Sequence, residues 1–342
     1  MRFAVVGDIC PDARLLAWRV ARIPDLHRAL DVDLVLANFE AVVDGTEVGD
    51  DTFAPDKIRL SVPGEALDRL RAIGVDAVSV ANNHLWDYGA AAAEHTVREL
   101  GRTLGIDRVF GWNDRPSIEI ASGLSVLGMC FDETHPERGG GSFAVRDTGD
   151  VWSAVAAARQ PGESLLVFAH WGDEHVRLTD SLLRERAREM VGSGAAHVVG
   201  CHSHAVGAGE RIGDAVALYG LGNLLFRTMP EHNTRMLPAD RRGLAAVFRW
   251  EGGVLTYEEC WESVFDDAMN LSLRPLGRPL PGGPVARRHL HLRKGSARAL
   301  YHMDLGTTWA RRGVAKVLSG IERPSWRKVG TLSSRVFGRR VA

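Results

Sequence analysis

The hydrophobic positions of the chain fall into short apolar runs separated by longer amphipathic stretches. Six runs have the length of a strand and end in polar residues; they are RFAVVGD, DLVLANFEA, DAVSVANNH, LSVLGMCF, SLLVFAHWG and HVVGCHSH. Between them, apolar residues recur at helical spacing over residues 63–73, 90–100 and 178–191. Strands that alternate with helices predict an α/β fold, built from βαβ units around a buried, largely parallel sheet.

The pattern changes after residue 209, where strands and turns follow one another without intervening helices. The runs AVALYGLGN, GLAAVFRW and GVLTYEECW are strand-like, and Glu251-Gly252-Gly253 between the last two predicts a hairpin. We therefore expect a second, mixed or antiparallel sheet that packs against the first.

Length and composition place most of these elements in one large domain. With 342 residues and 45% apolar content, the chain is long enough for one α/β domain and a smaller elaboration. Residues 272–288 contain four prolines and several glycines, which is typical of a linker. We predict a domain over residues 1–271, a linker over 272–288 and an extension over 289–342, with apolar residues at helical spacing.

The net charge of −1 hides an asymmetry between the body and the C-terminal extension. Residues 285–342 contain 14 lysines and arginines against two acidic residues. A basic segment of this kind can contact nucleic acid, anionic lipid or an acidic peptide, or it can pack against the acidic body of the same protein. We expect packing against the body, with an acidic partner as the alternative, and we do not expect nucleic acid.

Neither a membrane span nor a disulfide framework is visible in the sequence. No apolar stretch approaches the roughly 20 residues that a helix needs to cross a bilayer. The N-terminus has no long hydrophobic segment and no small-residue cleavage site, which leads us to expect a cytoplasmic protein. Four cysteines without a CxxC pair predict reduced thiols, of which Cys10 and Cys201 stand beside the motifs described next.

Acidic, amide and imidazole groups stand at or just beyond the ends of five of the apolar runs. In an open α/β sheet such groups gather outside the carboxyl ends of the strands, so five distant segments should converge on one crevice. Oxygen and nitrogen donors of this kind bind divalent metals. The candidate ligands are Asp8, Glu40, Asn83, His170, His202 and His204, and His84 stands beside them.

The order of these motifs resembles that of CapA proteins. GD, NFE, ANNH, HWG, GCHSH and YGLGN follow one another as in that family, and Asp87, Gly89 and the FGWND segment at 110–114 also match. The resemblance covers residues 1–260 and implies the fold of the calcineurin-like metallophosphoesterases. It also implies one or two divalent metal ions and an acidic, peptide-like substrate.

The resemblance implies a division of the ligands between two ions. Glu40 is expected to bridge both ions, with Asp8 and His204 completing the first site. The superfamily usually has Asp-x-His in the first motif, whereas this chain has Cys10 at the histidine position. A thiolate from Cys10 would favour zinc, while the other donors are compatible with Mn, Fe, Zn, Mg or Ca.

The second site is expected to contain Asn83, His170 and His202. His84 is carried over as an acid/base residue that binds no metal, and Asp8 is counted as catalytic as well as a ligand.

Glu174 extends the HWG motif, and His175 and His197 are expected to be structural. Two further residues are candidates. Asn223 is expected to hydrogen-bond to a metal ligand without binding the metal itself. Arg227 either binds an anionic substrate or pairs with the acidic body.

Three functions remain open from the sequence. The first, which we favour, is a metal-dependent hydrolase that activates water and acts on poly-γ-glutamate or a related acidic chain, with a phosphate ester as a substrate by fold analogy only. The second is a metal-dependent epimerase that inverts an amino-acid α-carbon in a ribosomally made peptide such as a lasso peptide, using His84 and a further acid/base group. The third is a scaffold without catalytic activity that binds an acidic polymer through the basic extension.

Overall fold

Two β-sheets packed face to face form the centre of the structure. It is a computed structural model that describes residues 1–11, 22–44, 59–112, 115–131, 144–145, 148–179, 181–226, 238–266 and 268–277. In these ranges the strands are β1 (Arg2–Cys10), β2 (Leu34–Phe39), β3 (Val42–Val43), β4 (Ser61–Val62), β5 (Ala77–Ser79), β6 (Val109–Phe110), β7 (Ser117–Ala121), β8 (Leu124–Phe131), β9 (Ala144–Val145), β10 (Ser164–His170), β11 (Ala195–Cys201), β12 (Gly209–Ile212), β13 (Ala215–Leu218), β14 (Asn223–Phe226), β15 (Arg242–Glu251), β16 (Val254–Phe265) and β17 (Leu271–Gly277).

Five α-helices of the described ranges connect or cover these strands. They are α1 (Leu26–Leu30), α2 (Leu67–Ala72), α3 (Ala90–Leu104), α4 (Thr148–Ala158) and α5 (Ser181–Gly192). Short 3-10 turns occur at Gly64–Ala66, Ile106–Arg108 and Pro238–Arg241.

Both sheets contain parallel and antiparallel pairs. The first has the order β17-β16-β15-β1-β2-β5-β6, with β14 also paired to β1, and its strands β1, β2, β5 and β6 run parallel. The second has the order β12-β13-β11-β10-β8-β7, with β9 paired to β8, and its strands β8, β10, β11 and β13 run parallel. A separate small pair joins β3 to β4.

The α/β class with two mixed sheets is confirmed, but the strands are distributed differently from the prediction. The region after residue 209 does not form a sheet of its own. Strands β12 and β13 extend the second sheet, whereas β14 to β17 extend the first through β1. The later strands complete the edges of parallel sheets that would otherwise present unpaired backbone groups.

Three apolar layers hold the sheets and helices together. Leu26, Leu67 and Leu100 of the first three helices pack on the outer face of the first sheet. Phe3 of β1 and Phe168 of β10 belong to the layer between the sheets. A third layer joins α4 and α5 to the outer face of the second sheet. The chain therefore stacks as helices, sheet, sheet and helices, with the carboxyl ends of β1, β2, β10 and β11 near one another.

The predicted domain boundary at residue 271 falls at the start of an edge strand, Leu271–Gly277. This strand pairs antiparallel with β16, and Leu271 is buried. Pro275 is compatible with this position because an edge strand has one side that needs no hydrogen-bond donor. The rest of the predicted linker and the basic extension lie outside the described residues. Among those described, no helix is long and apolar enough to cross a bilayer.

Candidate metal centre

The candidate ligands predicted from five distant segments meet between the two sheets. Every one of them is buried. Their positions are Asp8 within β1, Glu40 after β2, Asn83 and His84 after β5, His170 at the end of β10, and His202 and His204 after β11.

Glu40 lies at the middle of this group. Its Oε1 atom is 3.7 Å from Nε2 of His170, 3.7 Å from Nε2 of His204 and 3.9 Å from Nε2 of His84. Neither oxygen of Glu40 has a hydrogen-bond partner among the described residues. A buried carboxylate without donors is strongly unfavourable unless a cation compensates it, so the Glu40 environment fits a bound metal ion.

Asp8 is held by groups from both sheets. Its Oδ1 atom accepts a hydrogen bond of 2.8 Å from Nδ2 of Asn38 in β2. Its Oδ2 atom accepts one of 3.1 Å from the backbone amide of His202 and lies 3.4 Å from Nδ1 of His204. The Asp8 carboxylate is therefore oriented before any ion binds.

His170 and His202 lie side by side on the second sheet. Nε2 of His170 is 2.8 Å from Oδ1 of Asn83, and the two imidazole rings are 4.5 Å apart between centroids. The Nδ1 atom of His202 is buried without a hydrogen-bond partner in the described ranges. Among the described residues, potential ligand atoms lie within 4.8 Å of one another in three groups: Asp8 with Glu40 and His204, Glu40 with His170 and His202, and Asp8 with His170 and Cys201.

The GCHSH segment bends sharply after β11. His202 has a φ of 86° and His204 a φ of 49°, which are uncommon for residues other than glycine. Gly200 precedes the bend, and a Cβ atom there would lie 2.2 Å from Nε1 of Trp171. Strained residues of this kind persist where the surrounding structure holds them, and they cluster at functional sites. The bend turns the His204 ring toward Glu40 and Asp8.

Burial and neighbouring charges together set the pKa values of the candidate ligands. Burial raises the pKa of Glu40 well above its usual range, and the Asp8 carboxylate raises it further. Burial lowers the pKa of His204, but the carboxylates of Glu40 and Asp8 outweigh this effect and raise it to about 10. Burial lowers the pKa of His202 to about 4. The site as a whole attracts positive charge, and it attracts it most strongly beside Glu40.

His84 is paired with a buried carboxylate on the side away from Glu40. Its Nδ1 atom lies 2.6 Å from Oδ2 of Asp87, which directs Nε2 toward Glu40. Oδ1 of Asn82 accepts the backbone amides of His84 and Leu85, each at 3.1 Å, and so shapes the turn that carries the histidine. Asp87 was visible in the sequence only as part of the motif that follows ANNH.

Two residues that the sequence did not single out as ligands also contact the centre. Asn38, two positions before Glu40, donates to Asp8 and lies 3.3 Å from Nδ1 of His170. His175, expected to be structural, packs its ring 5.4 Å from that of His204. The alternation of side chains along β2 is a signal for Asn38, because residues two apart on a strand share a face.

The cysteine nearest the centre is Cys201 rather than Cys10. The Sγ atom of Cys201 lies 3.4 Å from Nδ1 of His170, and burial raises the pKa of this thiol well above its usual range. Cys10 belongs to the outer apolar layer of the first sheet and to none of the potential ligand groups within the described ranges. A register shift between Asp8 and Ile9 breaks the alternation that would place Cys10 beside Asp8.

Asn223, one of the two remaining candidates, contacts a candidate ligand. Asn223 places Oδ1 2.9 Å from Nδ1 of His204 and donates through Nδ2 to the carbonyl of Asp240 at 2.7 Å. Asn223 therefore fixes the orientation of the His204 ring, as an outer partner of a metal-binding histidine does. Arg227 lies outside the described residues.

Comparisons with known proteins identify relatives of this chain. A family model described as "Bacterial capsule synthesis protein PGA_cap" matches residues 6–228. The chain is 27% identical over 208 residues to the "PGA biosynthesis protein CapA" of Bacillus subtilis (strain 168), covering 57% of this chain and 53% of that protein. It is 24% identical over 211 residues to the "Capsule biosynthesis protein CapA" of Bacillus anthracis, covering 57% and 50%.

The chain thus spans about half the length of the curated relatives it matches. Among solved structures, it is similar to a hypothetical protein from Thermus thermophilus, with a TM-score of 0.48, 18% identity and coverage of 82% of this chain and 100% of that one. The family model spans every candidate ligand from Asp8 to His204 and more than half of the chain. The chain therefore belongs to the PGA_cap family of bacterial capsule synthesis proteins, within the metallophosphoesterase-like superfamily.

Proposed function

We propose that this protein is a divalent-metal-dependent hydrolase that cleaves an acidic, peptide-like chain such as poly-γ-glutamate. The observation that carries the proposal is the Glu40 carboxylate, buried among three imidazoles with no hydrogen-bond donor among the described residues. Its surroundings suit a cation, and the oxygen and nitrogen donors around it are those that divalent metals take. The chemistry that a bound divalent ion supplies is Lewis acidity, which polarises a carbonyl and activates water.

Two of the three donor groups share Glu40, which supports two ions rather than one. Glu40 would then contribute to both sites. Asn83 joins the second group through its contact with His170. We assign Asp8 and His204 to one ion, Asn83, His170 and His202 to the other, and Glu40 to both.

His84 is assigned as the proton donor to the leaving nitrogen of the substrate. The Nδ1 atom lies 2.6 Å from Oδ2 of Asp87, which fixes the ring with Nε2 directed toward Glu40. At 3.9 Å from Oε1 of Glu40, Nε2 is close enough to reach a substrate bound over the centre. The net result is a broken C–N bond, a new C–O bond and a neutral His84 that regains its proton from solvent.

The curated relatives support the choice of substrate. They are named for PGA and capsule biosynthesis, and poly-γ-glutamate presents amide bonds flanked by free carboxylates.

Epimerisation of a peptide α-carbon is the second candidate. The observation that favours it is a second imidazole–carboxylate pair, His175 with Asp240, beside the centre. Inversion of a carbon needs one group to remove a proton and another to return one on the opposite face. Two histidine–carboxylate pairs near one centre would supply two such groups.

One experiment separates these candidates from each other and from a scaffold without catalytic activity. The full chain, loaded with Mn²⁺ or Zn²⁺, is incubated in D₂O with poly-γ-glutamate and, separately, with a mixed α-peptide library, and products are analysed by mass spectrometry. Shorter chains without deuterium at the α-carbon support the hydrolase, and deuterium at the α-carbon without cleavage identifies the epimerase. Metal-loaded protein that produces neither result, and equals the His84→Gln variant, contradicts both.

A further inference from the structure

An apolar groove lies at the outer edge of the first sheet, beside the last described strand. Its volume is about 510 Å³, and its lining includes Ile23 and Pro24 before α1, Trp261 of β16, and Leu271 and Leu273 of β17. Ile23, Trp261 and Leu273 pack against the outer apolar layer of the first sheet. None of the candidate ligands lines the groove, so it is separate from the candidate metal centre.

Hydrogen bonds hold the walls of this groove together. The amide of Leu271 donates to the carbonyl of Arg22 at 3.0 Å, and the amide of Arg22 donates to Oδ1 of Asn270 at 2.7 Å. Asn270 is itself fixed by Asp266, whose Oδ1 atom accepts its amide at 2.9 Å. The segment before α1 is therefore attached to the turn between β16 and β17, and the groove between them is a formed feature of the fold.

Two features of the groove indicate a covering segment. The Nε1 atom of Trp261 is buried without a hydrogen-bond partner among the described residues, and a buried indole N–H is unfavourable without an acceptor. In addition, β17 is an edge strand of the described sheet. Proteins commonly cover such an edge with a helix or a loop, because its backbone groups are unpaired. An occupant of the groove should therefore be apolar and should also offer an oxygen acceptor.

The sequence that follows β17 contains a segment of this chemistry. The strand ends at Gly277, four residues after Leu273, and elements that follow one another in a chain are usually neighbours in space. In the predicted C-terminal extension, which lies outside the described residues, apolar residues recur at intervals of three, four and seven. This spacing predicts a helix with one apolar face. The residues are Leu300, Met303, Ala310, Val314 and Val317.

Length and reach agree with an interaction between this segment and the groove. A helix over residues 300–317 would be about 27 Å long at about 1.5 Å per residue. The 7 residues of β17 span about 23 Å at about 3.3 Å per residue, so the two lengths are similar. The 22 residues between Gly277 and Leu300 span up to about 70 Å when extended, which is ample for a return to the edge strand.

We propose that residues 300–317 of this chain dock in the groove between β17 and the segment before α1, with their apolar face inward. An oxygen of the docked segment accepts the N–H of Trp261, and the segment covers the edge of the first sheet. The proposal does not depend on the proposed function, because the groove contains no residue of the candidate metal centre. It assigns the C-terminal extension a binding site on the body of its own chain.

The test places a photoreactive benzoylphenylalanine at Leu273 of the full chain, in an equal mixture of unlabelled and ¹⁵N-labelled protein. After irradiation and proteolysis, mass spectrometry identifies the crosslinked peptides and shows whether both belong to one chain. We expect a crosslink from position 273 to residues 300–317 of the same chain. The matched control carries the same group at Val254, which is 60% exposed at the start of β16, and should give no such crosslink.

A second measurement leaves the groove itself unchanged. Leu300→Asp and Val314→Asp each place a charge on the apolar face of the segment, and each should lower the melting temperature of the full chain by roughly 5 °C. Leu305→Asp serves as the control, because position 305 lies on the opposite face of the predicted helix. It should change the melting temperature by less than about 1 °C.

Four outcomes would overturn the proposal. A crosslink from position 273 to a second chain would make the groove an interface between copies. A crosslink to another segment of the same chain, such as residues 12–21 before Arg22, would give the groove a different occupant. The same crosslinks from positions 273 and 254, or none from either, would show that residues 300–317 do not dock there. Equal melting temperatures for Leu300→Asp and Leu305→Asp would contradict an inward apolar face.

Discussion

At the scale of single residues, the histidines of this protein differ in what their ring nitrogens contact. The Nδ1 atom of His84 contacts the carboxylate of Asp87, which orients the ring toward Glu40. His204 has the amide oxygen of Asn223, which orients the ring. Both ring nitrogens of His197 bond to backbone groups, since Nδ1 accepts the amide of Val216 and Nε2 donates to the carbonyl of Leu255. The residue type is the same, but each ring is oriented by a different kind of partner.

The first prediction separates ligands from the proton donor. His170→Ala and His202→Ala should lose bound metal, since each removes a ring nitrogen that lies close to Glu40 within a ligand group. His84→Ala should keep the metal and lose roughly 10²–10⁴ in turnover, the usual effect of removing an acid/base group. Elemental analysis of bound metal and steady-state kinetics of the three variants measure these effects. Equal metal loss in all three variants would refute the division of roles.

The second prediction concerns His197 and acid. Burial lowers the pKa of His197 to about 4, against 6.5 in the unfolded chain. The unfolded state therefore binds a proton first as the pH falls, and this residue destabilises the fold progressively between pH 6.5 and 4. The loss amounts to about 3 kcal/mol at the low end, at about 1.4 kcal/mol per pKa unit.

Chemical denaturation of the wild type and of His197→Gln, at pH 7 and pH 4.5, measures this effect. The variant should be less stable at pH 7, because it loses two buried hydrogen bonds, but its stability should fall less on acidification. Parallel pH profiles would show that His197 does not titrate as expected. His27→Gln, at a half-exposed pair, serves as the control.

At the scale of elements, the centre depends on close approaches between strands and loops. Gly7 of β1 lies so near the loop before β14 that a Cβ atom would be 1.8 Å from the carbonyl oxygen of Gly222. Gly222 itself has a φ of 64°. These glycines bring Asp8 and Asn223 side by side, since the two residues are register partners of β1 and β14.

The third prediction is that Gly7→Ala destabilises the protein strongly and Gly192→Ala does not. Overpacking a close contact typically costs about 1–3 kcal/mol or more, and here the neighbour is backbone that must move together with Asp8. A Cβ atom on Gly192, at the end of α5, meets nothing within 4 Å, so alanine there should be neutral or raise stability by up to about 1 kcal/mol. Melting temperatures of both variants check this, and equal melting temperatures would contradict the packing argument.

At the scale of the whole molecule, the candidate centre joins the two sheets. Asp8 and Glu40 come from the first sheet, and His170, His202 and His204 come from the second. Their positions are set by the apolar layer between the sheets, so an ion held by both groups would act as a crosslink. Metal binding should accordingly depend on the integrity of the whole fold and should stabilise it in return.

The fourth prediction follows from this linkage. A ligand that binds only the folded state adds RT ln(1 + [L]/Kd) to stability, which is about 4 kcal/mol at a thousandfold excess over Kd. Chelation should lower the melting temperature of the wild type, and added Mn²⁺ or Zn²⁺ should restore it. His84→Ala should show the same shift, whereas His202→Ala should show little. A wild-type melting temperature that is insensitive to metal would contradict the proposed centre.

Much of the site follows from the sequence alone. Apolar runs that end in polar residues predicted the α/β class and the convergence of Asp8, Glu40 and His170, because the ends of parallel strands meet whatever the loops between them do. The order of the motifs identified the family. These inferences rest on local patterns, which the burial of strands and helices imposes on any chain with this fold.

The tertiary structure alone decided the features that depend on distant partners. The C-terminal strands are divided between both sheets, and a register shift in β1 turns Cys10 away from Asp8, although the sequence places them two residues apart. His175 and Asp240 pair across 65 residues. The lack of a hydrogen-bond donor for Glu40 among the described residues also became visible only once its surroundings were known. No local pattern encodes such contacts, because they depend on how the two sheets pack against each other.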